Sequence, residues 1–354
     1  MCNISKEFFQ NEYECVTHDA LSWFSRFENV SLLVDNLDRR NTMRTILEID
    51  VNSVNREKLG SSVSTYSLLD DGDTFLLGCG LWDRENMPHS NAIKNATPGI
   101  VLRVLKEKGE IVGKTAQLGN IVYPLIVNPS GSGYFAGCRT GDAYLVQADL
   151  TVAHLGSYGE GVYGVEYSHT LGRFLIGGRD GVLYIFDRDW QIVCTVAVSD
   201  DRLWNLHMDR DGRSVWATSY NRRLYRVDIA SGEILVNMDL GAGALTYLQW
   251  LANGELAVGC FSKKIFLLCD GKVTREILVE SPVCFLRNIP HCGMLVATGY
   301  RGQVWLFNYN GVLQDKFLLD TKENNPVWVG VFSASQPNQM IFAWANGIVR
   351  VMEI

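Results

Sequence analysis

The stretch Phe174-Leu-Ile-Gly-Gly-Arg-Asp-Gly-Val-Leu-Tyr-Ile-Phe-Asp187 decides the fold. Two short apolar runs, rich in aromatic and branched side chains, flank a polar turn carrying Gly and Asp, which is the pattern of a tight antiparallel hairpin. The first run closes on a small residue, Gly177, and the same phrase returns along the chain. It reads Phe75-Leu-Leu-Gly78, Tyr134-Phe-Ala-Gly137, Val215-Trp-Ala-Thr218, Leu256-Ala-Val-Gly259, Leu295-Val-Ala-Thr298 and Met340-Ile-Phe-Ala343. From Gly137 onward the small residues are 40, 41, 41, 39 and 45 positions apart. A period near forty means stacked supersecondary units. The first interval, Gly78 to Gly137, is 59 residues, and the polar, proline-containing stretch 83–98 accounts for the excess as a loop inserted in a hairpin.

Each small residue is followed by a second apolar strand, such as Leu224-Tyr-Arg-Val-Asp228 or Val304-Trp-Leu-Phe-Asn308, and then by turn chemistry, Ala230-Ser231-Gly232 or Asn310-Gly311. A further strand starts at once. Four short antiparallel strands per unit make a propeller blade, and seven units make an all-β, seven-bladed β-propeller. The last unit ends on its third strand, Ile348-Val-Arg-Val-Met-Glu353, whereas Met43-Arg-Thr-Ile-Leu-Glu-Ile-Asp50 is a strand without a unit. Pairing the two closes the ring and covers a bare sheet edge, so residues 42–51 are expected as the outer strand of the last blade. The domain reading is thus a propeller over 42–354 and an extension over 1–41. In that extension Thr17 is expected to cap a short helix with Leu21, Phe24 and Phe27 on one face, packed on the propeller.

The units resemble those of the WD-repeat and related seven-bladed propellers over roughly residues 42 to 354, and Leu224-Tyr-Arg-Val-Asp-Ile-Ala-Ser-Gly-Glu-Ile234 is typical of that group. Where WD repeats end a strand in Trp-Asp, this chain carries Phe186-Asp187 and Val227-Asp228. The resemblance is to the architecture.

Hydrophobic residues make up 47% of the chain and aromatics 11%, which is the composition of a folded domain. The formal charge of −7, with no Lys/Arg run beyond two residues, argues against a nucleic-acid partner. No apolar run is long enough for a bilayer, and the first thirty residues lack a basic start and apolar stretch of a secretory signal. Nine scattered cysteines without a C-x-x-C pair fit reduced thiols, so a cytoplasmic location is expected, with no membrane association.

In a propeller the innermost strands line a central channel. Counting fourteen residues back from each small residue reaches Ser64, Tyr123, Tyr163, Trp204, Leu245 and Cys284, with Trp328 one place off. Repeat equivalence puts Tyr123, Tyr163, Trp204 and Trp328 at one depth, where they can form an aromatic wall for a cation, an aromatic or isoprenoid group, or peptide side chains. The alternative is that these rings wedge neighbouring blades together. Three residues on come Glu166, His207 and Arg287, with Gln249 close by. Glu166 and His207 make a plausible acid/base pair, or else part of a structural network between blades. The turns after the small residues add Arg139, Arg179, Tyr220, Phe261 and Tyr300 as a rim, in which two arginines can clamp a carboxylate or phosphate. The inserted loop, with His89 and preceded by Trp82, is a candidate lid.

Cys79, Cys138 and Cys260 repeat one position after the small residue and read as buried fillers, so no metal site is expected. The acidic turns Asp70-Asp-Gly-Asp73 and Asp209-Arg-Asp-Gly212 do not complete a calcium loop. No phosphate-binding, dinucleotide or serine-nucleophile fingerprint is present, and nothing calls for a cofactor. Two functions stand: a recognition propeller that binds a protein segment or small ligand at the aromatic face, and a small-molecule enzyme that uses the same pocket with Glu166 or His207 moving a proton.

Overall fold

The computed structural model describes residues 43–55, 62–82, 97–129, 132–318, 327–333, 336 and 338–353. They form seven four-stranded antiparallel sheets. The first blade holds β2 (Ser62–Asp71), β3 (Thr74–Trp82), β4 (Gly99–Leu105) and β5 (Ile111–Lys114), and the second β6 (Val122–Val127), β7 (Tyr134–Cys138), β8 (Asp142–Val146) and β9 (Val152–Ser157). The third has β10 (Val162–Ser168), β11 (Arg173–Gly178), β12 (Val182–Phe186) and β13 (Ile192–Ala197), and the fourth β14 (Leu203–Met208), β15 (Ser214–Ser219), β16 (Arg223–Asp228) and β17 (Ile234–Asp239). The fifth is β18 (Leu245–Trp250), β19 (Leu256–Cys260), β20 (Lys264–Cys269) and β21 (Lys272–Leu278), and the sixth β22 (Val283–Ile289), β23 (Met294–Gly299), β24 (Gln303–Asn308) and β25 (Leu313–Leu318). The seventh joins β26 (Val327–Phe332), β27 (Gln339–Trp344) and β28 (Ile348–Glu353) to β1 (Arg44–Asp50).

That last pairing is the closure read from the sequence, with Arg44 opposite Glu353 and Asp50 opposite Ile348. A single helical turn, Val51–Val54, capped by the Asp50 carboxylate on the Ser53 N–H, leads out of β1. It carries a clip between the last and first blades. The Asn52 amide donates to the carbonyls of Val63 (3.0 Å) and Asn346 (2.7 Å), and its oxygen accepts from the Val63 N–H at 2.8 Å. All seven innermost strands touch their neighbours in turn, β26 against β2 included, so the ring is complete.

The second strand of each blade is covered on both faces by adjoining blades, so it is largely apolar and does not alternate: every residue of β7, β15 and β19 is buried. The fourth strands alternate, as in β17, because one face meets solvent. The core lies between blades. One cluster joins Leu175 and Ile185 of the third blade to Ala217 and Tyr225 of the fourth.

The recurring small residue marks the blade-to-blade contact. A Cβ on Gly137 would lie 2.5 Å from Val162 Cγ1, and one on Gly259 2.6 Å from Val283 Cγ1; each Val opens the next blade's innermost strand. Where the residue is Thr, its hydroxyl bonds that same strand. Thr218 donates to the Thr246 carbonyl at 3.0 Å and Thr298 to the Val327 carbonyl at 2.7 Å. The Asp or Asn that ends many third strands holds the following turn: Asp187 accepts from the N–H groups of Asp189 and Gln191, and Asn308 from those of Asn310 and Val312.

The acidic first-hairpin turns are ion-paired within the fold, Asp70 with Lys106 and Asp209 with Arg226. No helix among the described residues is long and apolar enough to cross a membrane. The extension over 1–41 and loop residues 83–96 lie outside the described residues.

Candidate functional site

In every blade the pairing of the innermost strand with the second slips by one residue near the start of the innermost strand. The slips fall between Thr65 and Ser67, Val122 and Leu125, Val162 and Gly164, Leu203 and Asn205, Leu245 and Leu248, Val283 and Phe285, and Val327 and Val329. A bulge of this kind turns a side chain away from the regular alternation. The residues within these bulges are Tyr66, Tyr123 with Pro124, Tyr163, Trp204, Thr246 with Tyr247, Cys284 and Trp328. Tyr123, Tyr163, Trp204 and Trp328 thus share one structural position, as equivalence requires, and Tyr66 joins them in place of Ser64. The Trp328 side chain lies outside the described residues.

Just past the bulge of the second to sixth blades, one more backbone bond extends the pairing. The N–H groups of Arg139, Arg179, Tyr220, Phe261 and Tyr300 donate to the carbonyls of Ile121, Gly161, Arg202, Ala244 and Pro282 at 2.9–3.1 Å. These five residues form a second tier at the same end of the channel.

The two tiers make one chain of rings. Tyr66 meets Tyr123 at 5.1 Å between centroids, Tyr123 meets Tyr163 at 5.2 Å, and Tyr163 stacks on Trp204 at 5.2 Å. Trp204 then meets Tyr220 at 5.6 Å and Phe261 at 6.0 Å, and Phe261 meets Tyr300 at 6.4 Å. Tyr123 also reaches Trp204, two blades away, at 6.4 Å. The deeper rings are packed together: Tyr66 and Tyr163 are 9% and 8% exposed. Trp204, Tyr220, Phe261 and Tyr300 are half-buried.

Three arginines stand at this end, with Asp201 beside one of them. Arg139 is 7% exposed and hydrogen-bonds the Tyr123 phenol. Burial pushes the Tyr66 and Tyr123 phenols up, with the Arg139 charge opposing the shift in both, and burial raises Tyr300 as well. All three remain neutral hydrogen-bonding groups at physiological pH. Arg202 lies over the Tyr220 ring at 4.4 Å, its Nε 3.6 Å from Asp201. Arg179 is half-buried. Of the carboxylates in the neighbouring turns, Asp142 accepts from the Thr140 and Ser157 hydroxyls and Asp180 from the Tyr184 hydroxyl. The Tyr163 hydroxyl is buried and has no hydrogen-bond partner among the described residues.

Glu166, His207, Gln249 and Arg287 stand three residues further along their strands than Tyr163, Trp204, Thr246 and Cys284, about 10 Å at the rise of an extended chain. Glu166 Oε1 and His207 Nδ1 are 3.0 Å apart, each side chain about a quarter exposed. The Gln249 amide donates to the Trp250 carbonyl, and Arg287 is exposed, its guanidinium 5.5 Å from the Phe332 ring. Burial pushes the Tyr247 phenol up to about 12, with Arg287 pulling it back and Glu166 adding to the rise. Among the described residues, no hydrogen bond or ring contact joins the Glu166–His207 pair to the aromatic tier. The candidate residues therefore separate into an aromatic, cationic layer at one end and a mixed polar layer deeper in.

Counting from the sequence missed Tyr66, Arg202 and Tyr247. Tyr66 lies twelve residues before Gly78, and the missing two are the short Gly72-Asp73 turn, with Asp71 directly opposite Thr74. The acidic turn at 70–73 carried that signal. Arg202 and Tyr247 have no counterpart in the repeat.

Cys79, Cys138 and Cys260 are buried free thiols, and burial pushes Cys79 and Cys138 up to about 12. No group of three or more His, Cys, Asp or Glu that could hold a metal occurs among the described residues. Two hollows lie on the flanks, one of about 270 Å³ beside Leu278, Trp305 and Leu313, the other of about 160 Å³ beside Leu47, Lys106 and Val351. No protein-family model matches the chain and no curated protein matches it; the structure shows the architecture alone, seven four-stranded blades in a closed ring.

Proposed function

We propose that this propeller is a recognition module that binds a small ligand or a protein segment on the end of the channel carrying Trp204, Tyr220, Phe261 and Tyr300. The observation that carries this reading is the continuous chain of rings contributed by six blades and gathered at one end by a repeated bulge. Rings needed only to wedge two blades would not have to meet across several blades. Their half-buried outer members leave flat apolar faces for a planar or apolar group. Ligand-detected NMR with an aromatic fragment set tests it. Binders of the wild type are expected to lose their signal with Trp204→Ala and with Tyr220→Ala, each folded by circular dichroism. Unchanged binding by both variants would overturn the assignment.

The second reading, proton transfer, is favoured by the 3.0 Å contact of His207 Nδ1 with Glu166 Oε1. With Nδ1 donating to the carboxylate, Nε2 is the proton-accepting atom. That chemistry belongs to the polar layer, and a rate unaltered by His207→Ala removes the residue from any mechanism found.

A further inference from the structure

We infer that the aromatic end takes a ligand with a planar apolar body and one anionic group, a carboxylate, which Arg179 and the Tyr163 hydroxyl receive; this deepens the recognition reading and rests on it.

Three observations converge on the point. Tyr163 is more than nine-tenths buried, yet its hydroxyl has no partner among the described residues. A buried hydroxyl left unpaired is destabilising, which makes it a donor in wait of an acceptor. Next, the Tyr163 ring edge and the stem of Arg179 are neighbours: Gly161 packs so closely between them that an added Cβ would lie 2.7 Å from the Arg139 carbonyl oxygen, 2.9 Å from Tyr163 Cε2 and 3.2 Å from Arg179 Cβ. Finally, the Arg179 side chain makes no ion pair among the described residues, whereas Arg202, on the next blade, is engaged with Asp201.

The same geometry argues against a cation. The Tyr220 ring already holds the Arg202 guanidinium at 4.4 Å, and Arg139 is buried and hydrogen-bonded to the Tyr123 phenol. A second positive group would meet like charge at a partly desolvated site. A carboxylate meets the opposite: a guanidinium suited to two parallel hydrogen bonds and a phenol to complete them. The apolar body then lies over Trp204 and Phe261.

Three matched probes test the inference by tryptophan fluorescence titration and calorimetry: 2-naphthoate, 2-naphthalenemethanol and 2-naphthylmethylammonium. The acid is expected to bind roughly tenfold more tightly than the alcohol, and the ammonium ion more weakly than either. Arg179→Ala is expected to erase the preference for the acid and leave the alcohol unaffected, and Tyr163→Phe to reduce it about threefold. Equal binding of all three probes, or a preference that survives Arg179→Ala, overturns the carboxylate while leaving the recognition site in place. Binding of none of them, or binding indifferent to Trp204→Ala, overturns the recognition site and the carboxylate with it.

Discussion

Tyr163 and Asp228 show how single groups in this fold can be weighed. The Tyr163 hydroxyl is buried without a partner among the described residues, so removing it relieves a desolvation penalty and breaks no hydrogen bond there. Tyr163→Phe is expected to leave stability unchanged or to raise it by about 1 kcal/mol in urea unfolding; a clear loss would mean that the hydroxyl holds the structure together. Asp228 is the reverse. The backbone N–H and the hydroxyl of Ser231 bond its carboxylate and hold its pKa below the usual range. A depressed folded pKa stabilises above the unfolded value, near 4, and that stabilisation is lost as pH falls through the folded value. The melting-temperature advantage of wild type over Asp228→Asn is therefore expected to be full at pH 6 and to shrink towards pH 2. An advantage constant across that range would contradict the sign.

At the level of strands and turns, the small residue closing each second strand sets the spacing of the blades. Gly137→Ala places a methyl against Val162, and overpacking of this kind costs about 1–3 kcal/mol; chemical denaturation should show the loss, and Val162→Ala in the same chain should restore part of it. This contact also explains what could be read from the sequence. The small residues recur because each faces the next blade, so the blade count, the strand order and the splitting of the last blade are all legible in the sequence. Depth in the channel was less so. The count of fourteen residues assumes hairpins of equal length, and the two-residue turn at Gly72-Asp73 moves the first-blade position from Ser64 to Tyr66. The separation of Glu166 and His207 from the rings was hidden for another reason: three positions look adjacent in a repeat but span most of an extended strand. Arg202 escaped because its place comes from one blade's own loop, and periodicity carries no information about unique residues.

For the whole ring, closure is the long-range step, since β1 and β28 are separated by nearly the entire chain yet pair along six residue positions. Asn52 fastens that closure to the first blade by three hydrogen bonds. Asn52→Ala is expected to cost about 2–3 kcal/mol, seen in urea unfolding as a lower midpoint with an unchanged slope, because the ring still opens as one body. A variant indistinguishable from wild type would show that strand pairing alone seals the circle. The bulges have an implication at this scale too. They bring Tyr123 within reach of Trp204 past an intervening blade, with Tyr163 packed on both, so three neighbouring sheets share one knot of rings and none of them can shift without disturbing the other two.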